Sequence, residues 1–209
     1  MAADTPQPRP ISAIRLDGGR LCIDFVNTIH DRFAPELEDY IATPDRYLEW
    51  AKRSGAITPE EAVGLLPFAG DPARLMKEVR ALRDALYRLL LAKADRAPLP
   101  ADALHLQNMW LKSARQSEML CENGALIFHA ARADARAPLK RIALDLVDTF
   151  ADARASKLKL RLCANRESCG WLFADTSKNG RRRWCAMETC GTISKMATRR
   201  RKSEARGTA

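Results

Sequence analysis

CANRESCGWLFADTSKNGRRRWCAMETC, the run from Cys163 to Cys190, decides how this chain of 209 residues is read. It carries four of the six cysteines as two close pairs, Cys163/Cys169 and Cys185/Cys190, with fifteen residues between them. Gly170-Trp171-Leu172-Phe173 is a short apolar run, Ser177-Lys178-Asn179-Gly180 is a turn signal, and Arg181-Arg182-Arg183-Trp184 reads as a second strand. Two strands joined by Asn-Gly bring both pairs to one end of a hairpin, as a tetrahedral zinc site with four cysteine ligands requires. Two disulfides, or unconnected thiols, are the competing readings. Met1 to Pro10 is polar and proline-rich, without the apolar centre of a secretory signal, and no run approaches the roughly 18 apolar residues of a membrane span. The expectation is therefore a cytoplasmic protein with no membrane partner, and a reducing compartment favours metal over disulfide. So polar a segment also needs a staple to fold. The expected cofactor is one structural Zn2+ on Cys163, Cys169, Cys185 and Cys190, because four thiolates leave no position for water or substrate.

Charge is as unevenly placed as sulfur. From Arg161 onward there are twelve Lys or Arg against four Asp or Glu, +8 of the net +9; the rest of the chain is nearly neutral. Met187 to Arg206 lacks proline, and as a helix it aligns Lys195, Arg199, Lys202 and Arg206 along one stripe. Met187, Cys190, Ser194 and Ala197 fall on another face, expected to meet the metal and hairpin. A basic stripe beside a metal site presents cations to phosphates, so DNA is the expected partner. Lys195, Arg199, Arg200, Arg201 and Lys202 are the candidate contacts, with Arg181, Arg182 and Arg183 as a second basic surface. The competing readings are a solvated helix, or one that meets an acidic protein partner while the zinc module only staples the fold. Trp171 and Trp184 are expected to form the hairpin's small core rather than platforms for bases.

These residues resemble a known pattern. The stretch from Cys163 through Cys169-Gly-Trp-Leu-Phe-Ala-Asp-Thr-Ser and Arg183-Trp-Cys-Ala-Met to Cys190-Gly-Thr-Ile-Ser-Lys195 resembles the CGNR-type zinc finger of bacterial regulators. Gly18-Gly-Arg-Leu-Cys-Ile-Asp-Phe-Val-Asn-Thr28 resembles the opening of the ABATE domain that precedes this finger. The resemblance implies a zinc-binding, DNA-binding transcriptional regulator of stress or metabolite responses, with the four cysteines as ligands. Two departures stand out: the first cysteine pair is one residue wider than the pattern, and Cys190-Gly191-Thr192-Ile193 lacks the signature Asn and Arg. No ligand is lost, but an arginine suited to phosphate or guanine is, which shifts the expected binding onto Arg199 to Lys202.

The front of the chain reads as helical. Thr43-Pro44-Asp45, Thr58-Pro59-Glu60-Glu61 and Asp71-Pro72 are cap-and-proline starts. Leu75, Val79, Leu82 and Leu86 continue the third at helical spacing. Ala101 to Ala114 and a helix from Pro138 through Ala153 follow, and Leu158 to Leu162 alternates like a strand. Cys121 to His129 is a second strand candidate, broken by Asn123-Gly124, and Leu21 to Phe25 reads as a strand or a helix start. The fold class expected is mainly α with a few short strands. Its parts are a flexible N-terminus (1–12), an ABATE-like helical domain (13–157), a CGNR-like finger of β-hairpin plus helix, treble-clef-like (158–203), and a flexible tail (204–209).

No phosphate loop, G-x-S-x-G or H-E-x-x-H is present, and His30, His105 and His129 are scattered, so no enzyme is expected. Cys22 and Cys121 read as small core residues. Asn27-Thr28-Ile29-His30-Asp31-Arg32 is a dense polar patch after an apolar segment. It reads either as a capped turn or, through Asn27, His30, Asp31 and Arg32, as the lining of a small-molecule pocket. The second reading makes the helical domain an effector sensor; dimerisation is its other expected role, since many DNA readers are homodimers.

Overall fold

The structure, a computed structural model, describes residues 9–114, 118–122, 125–129 and 134–207; the side chains of 118–122, 125–129, 202 and 204–207 lie outside it. Among the described residues the chain is mainly helical. In order, α1 is Leu21–Val26, α2 Pro44–Arg53, α3 Pro59–Val63, α4 Pro72–Asp95 and α5 Ala101–Ala114. β1 (Glu118–Glu122) and β2 (Ala125–His129) form one antiparallel pair. α6 (Ala137–Arg154), β3 (Lys159–Leu162), β4 (Leu172–Asp175) and α7 (Thr192–Gly207) complete the order. The expected helix starts hold. Thr43, Thr58 and Asp71 each accept a first-turn backbone amide on the side chain, with proline in the first turn. Thr58 and Glu61 close a reciprocal capping box.

The core is organised around α4 and α1. α4 buries Leu75, Val79, Leu82, Leu86 and Leu90 along one side and packs against α1, α5, α6 and β3. α1, which sequence alone left between strand and helix, is a helix with Cys22, Ile23, Phe25 and Val26 fully buried. So complete a burial exceeds what one amphipathic stripe provides, because α1 is enclosed by α4, α6 and β4 together. Cys22 is a core residue as expected, and burial pushes its thiol up. The side chains of Cys121 and His129 lie outside the described residues. Ile11, inside the stretch expected to be a flexible N-terminus, is buried, and the Arg9 carbonyl accepts from Arg46 Nη2 at 2.6 Å.

The second hairpin forms, but with a different pair of strands. β3 pairs with β4 from Lys159↔Asp175 to Leu162↔Leu172, so the connection between them is the loop carrying Cys163 and Cys169. Arg181 to Trp184 is not a strand. The Ser177–Gly180 turn is real, with Gly180 N donating to the Ser177 carbonyl at 2.9 Å. It redirects the chain without closing a ladder, because Arg182 turns inward. Its guanidinium lies 4.5 Å from the Phe173 ring centroid and donates to the carbonyls of Asp17, Trp184 and Cys185. One hydrophobic core contains residues of both the helical part and the cysteine module, among them Phe25, Leu82, Cys163, Leu172 and Phe173.

Gly18 and Asp24 brace this junction. Asp24 Oδ1 accepts from Gly18 N at 2.8 Å, and the Gly18 carbonyl accepts from Ala174 N of β4 at 2.8 Å. A Cβ on Gly18 would lie 2.7 Å from Ile23, which reserves the position for glycine. Burial raises the Asp24 carboxyl to about 7, with Asp17 and Asp145 adding to it against the Gly18 hydrogen bond and Arg53. Between about pH 4 and 7 the folded state therefore holds a proton that the unfolded chain has lost, and stability falls as pH rises through that window. Asp24→Asn should remove this dependence and raise the melting temperature above pH 7, the underlying shift being worth at most about 4 kcal/mol. Thermal melts of both proteins from pH 5 to 8 check it; parallel curves would refute it.

Candidate metal centre and nucleic-acid interface

Three segments deliver the four sulfurs. Cys163 follows β3, Cys169 ends the loop before β4, Cys185 follows the inward Arg182, and Cys190 lies in a π-helical turn, Met187–Gly191, that opens α7. All four are buried, and their sulfurs lie within 4.8 Å of one another. Cys169 and Cys185 Sγ are 3.7 Å apart, and Cys185 and Cys190 Sγ are 3.6 Å apart. Four sulfurs about 2.3 Å from a central zinc stand about 3.8 Å from one another, whereas a disulfide bond is about 2.0 Å. The spacing fits the tetrahedron and excludes disulfides in this arrangement. The local backbone holds it: Ala164 N donates to the Arg183 carbonyl at 2.8 Å, tying the two cysteine segments together, and Cys185 N approaches Cys163 Sγ at 3.5 Å.

The thiols cannot all ionise unaided. Hydrogen bonds from Cys163, Cys169 and Cys185 hold the Cys190 thiol well below its ordinary range, while contact with Cys163 pushes both Cys169 and Cys185 up. A central divalent cation removes that conflict by taking all four as thiolates. Bound zinc here supplies structure, since all four coordination positions are filled by protein.

The module is fastened to the helical part by side chains acting as backbone. Asn27, 1 % exposed, presents Nδ2 to the Leu172 carbonyl at 2.8 Å and Oδ1 to Leu172 N at 3.0 Å. Its amide thus serves the open edge of β4 as a third strand would. Trp171 Nε1 donates to the Ile29 carbonyl at 2.7 Å, Arg32 N to the Cys169 carbonyl at 3.1 Å, and Tyr87 OH to the Gly170 carbonyl at 3.1 Å. The Arg32 guanidinium sits 3.7 Å from the Tyr87 ring centroid. Asn27 and Arg32 act as clasps, and of the four expected pocket residues His30 and Asp31 border a cavity. That cavity, about 310 Å³, lies between the N-terminal segment, the His30–Asp31 turn and the thiol cluster. His30 Nδ1 is paired with Tyr40 OH beside it. The other lining residues, including Arg15, Tyr40, Thr189 and Ile193, come from separate segments and carry no local sequence signal.

On the opposite side of α7, Arg183, Trp184, Ser194, Lys195, Thr198 and Arg199 border an open notch of about 450 Å³. Trp184 is half-buried against α7, donating Nε1 to Ser194 Oγ at 3.2 Å, while Trp171 is buried against the helical part. Arg183 stacks 4.9 Å from the Trp184 ring centroid. Lys195, Arg199, Arg200, Arg201 and Arg181 are exposed, Arg201 pairs with Glu167, and the Lys202 side chain lies outside the described residues. On the face expected to point inward, Cys190 is buried and Ser194 binds Trp184, but Met187 is 45 % exposed.

Fold and cluster together define a zinc-finger protein with a helical N-terminal domain. Residues 19–153 match the ABATE family, described as "Putative stress-induced transcription regulator", and residues 159–203 match the CGNR zinc finger. The chain belongs to the ABATE family, with a CGNR finger and its single structural zinc site following the ABATE domain. Neither description names an enzyme. No curated protein matches the chain. No helix among the described residues is long and apolar enough to cross a membrane.

The shared core makes metal and fold one system. Metal analysis should find one zinc per chain, and chelation should lower the melting of the whole molecule in a single transition. Asn27→Ala, which leaves two Leu172 backbone groups buried and unpaired, should cost about 2–4 kcal/mol and speed zinc loss to a chelator. A helical domain that melts unchanged after zinc removal would show instead that the two parts fold independently.

Proposed function

We propose that this protein is a cytoplasmic, DNA-binding transcriptional regulator of bacteria. In this reading zinc holds a basic helix against DNA, and the ABATE domain is the sensing or dimerising half. The observation that carries it is the notch where Lys195 and Arg199 of α7 meet Arg183 and the Trp184 ring. Three cations and a hydroxyl-bearing wall around an indole suit a phosphodiester backbone better than an acidic peptide alone. The family description, which names a transcription regulator, points the same way. Arg182 is excluded from the contact set because its guanidinium is spent on Asp17, Trp184 and Cys185 carbonyls. Arg181, Arg199, Arg200, Arg201 and Lys202 extend the basic surface around the notch. The sensing half acts through the cavity that touches both the His30–Asp31 turn and the foot of α7. Thiolate ligation of zinc suits the reducing cytoplasm.

Fluorescence anisotropy of the zinc-loaded protein with random duplex DNA at several salt concentrations tests this reading. Micromolar binding should weaken steeply with salt. Replacing Arg183, Lys195 and Arg199 together by alanine should reduce the logarithmic salt slope by about 0.9 for each phosphate contact removed. Binding to an acidic protein that survives these replacements, with no DNA binding at low salt, would establish the finger as an interaction module instead.

A further inference from the structure

The cavity at the foot of α7 has sulfur in its wall. Cys169, Cys185 and Cys190 line it, whereas Cys163, fully buried, does not. Cys190 is the most exposed of the four at 8 %. Its sulfur stands 3.6 Å from that of Cys185, close enough for a bond to form after a small shift. The remaining wall combines hydrocarbon from Ile14, Trp171 and Ile193 with the polar side chains of Arg9, Arg15, His30 and Asp31, and its volume far exceeds what a water-sized molecule needs. A structural zinc site that is only a staple has no use for a chamber of this size opening onto three of its ligands. Thiolates held by a metal are deprotonated sulfur nucleophiles, so whatever enters the chamber meets them directly.

We propose that this cavity admits an organic hydroperoxide to the thiolate cluster and that Cys190 and Cys185 form an oxidation site whose reaction releases the metal. The Cys190 sulfur attacks the peroxide oxygen. The O–O bond breaks, one proton is taken up, an alcohol leaves, and Cys190 becomes a sulfenic acid. The Cys185 thiolate then attacks that sulfur, and with a second proton water leaves as the disulfide forms. Two electrons pass from the sulfurs to one hydroperoxide, and with two of four ligands gone the tetrahedron cannot persist. The hydrocarbon part of the wall favours an oxidant with an apolar body, which packs on Ile14 and Trp171 while its O–O group reaches Cys190. This inference rests on the sensing half of the proposed function and is independent of the DNA-binding half.

The test uses full-length protein first shown to carry zinc, with release followed by a chromogenic chelator and the crosslink mapped by mass spectrometry. Cumene hydroperoxide and hydrogen peroxide are compared on the wild type and on Ala13→Phe, whose new ring enters the cavity from an exposed position. One zinc released per hydroperoxide consumed, a Cys185–Cys190 bond, and faster reaction with cumene hydroperoxide are expected. Ala13→Phe should slow cumene hydroperoxide roughly tenfold, about 1.4 kcal/mol of barrier, and hydrogen peroxide far less, at an unchanged melting temperature. If both oxidants form the crosslink equally fast in both proteins, the sulfurs react from outside: the cavity proposal is overturned and a redox-sensing role survives. If neither oxidant releases zinc before the chain unfolds, both the proposal and thiol-based sensing fail, and DNA binding is untouched.

Discussion

Four thiols within 4.8 Å of one another are an unstable arrangement unless a cation sits among them, and the cysteine module that follows α6 is placed by that requirement. The sulfurs come from three local elements: both ends of the β3–β4 loop, the segment after Arg182, and the π-helical turn that starts α7. One ion therefore fixes the direction of a hairpin and of a basic helix that otherwise share few apolar contacts. Because the unfolded chain does not gather the four donors into one tetrahedron, the free energy of metal binding is free energy of folding. Helix α7 makes the dependence plain. Ile193 and Met196 are more than half exposed, so packing alone gives the helix little reason to lie where it does.

The clasp at Asn27 extends the effect to the helical domain. A two-stranded sheet leaves edge groups without partners, and the open edge of β4 faces protein rather than water. Asn27 answers with both ends of one amide, Gly18 adds a carbonyl for Ala174, and Tyr87 reaches Gly170 in the cysteine loop. Gly170 itself has φ of +71°, and a Cβ there would lie 2.9 Å from that of Arg32. The loop can approach the helical domain so closely only with glycine at that position. Sulfur cluster and helical core are consequently one packed body.

Helices α2, α3 and α4 are legible from residues because their starts are local chemistry: Thr43, Thr58 and Asp71 cap, and the proline after each suits a first turn. The cysteine pairs were legible by spacing. Strand pairing was not, since Asn179-Gly180 is a strong turn signal whichever strands flank it, and the true hairpin closes through the loop that holds two metal ligands. Arg182 read as surface charge because nothing local shows that Phe173 and three carbonyls receive it. The patch at Asn27 to Arg32 is visible in the sequence as a dense polar run, but its residues divide between clasp and cavity according to contacts from across the chain. Beyond His30 and Asp31 the cavity lining is not legible, being assembled from segments more than 150 residues apart.

The same geometry changes what the missing signature residues mean. Read along the sequence, Thr192 and Ile193 stand at the head of the basic helix, and a lost arginine there looks like a lost phosphate contact. In the folded chain Ile193 borders the cavity beside the thiol cluster and the hollow around Asn165 and Ala197. Lys195 and Arg199 border the Trp184 notch on the other side. Positions two and six residues beyond 193 fall roughly 160° and 120° away around a helix, so one substitution cannot serve both surfaces. Isoleucine at 193 therefore leaves the notch and its cations intact. What it alters is the junction, where residue 193 presents hydrocarbon to the cavity wall beside Cys190.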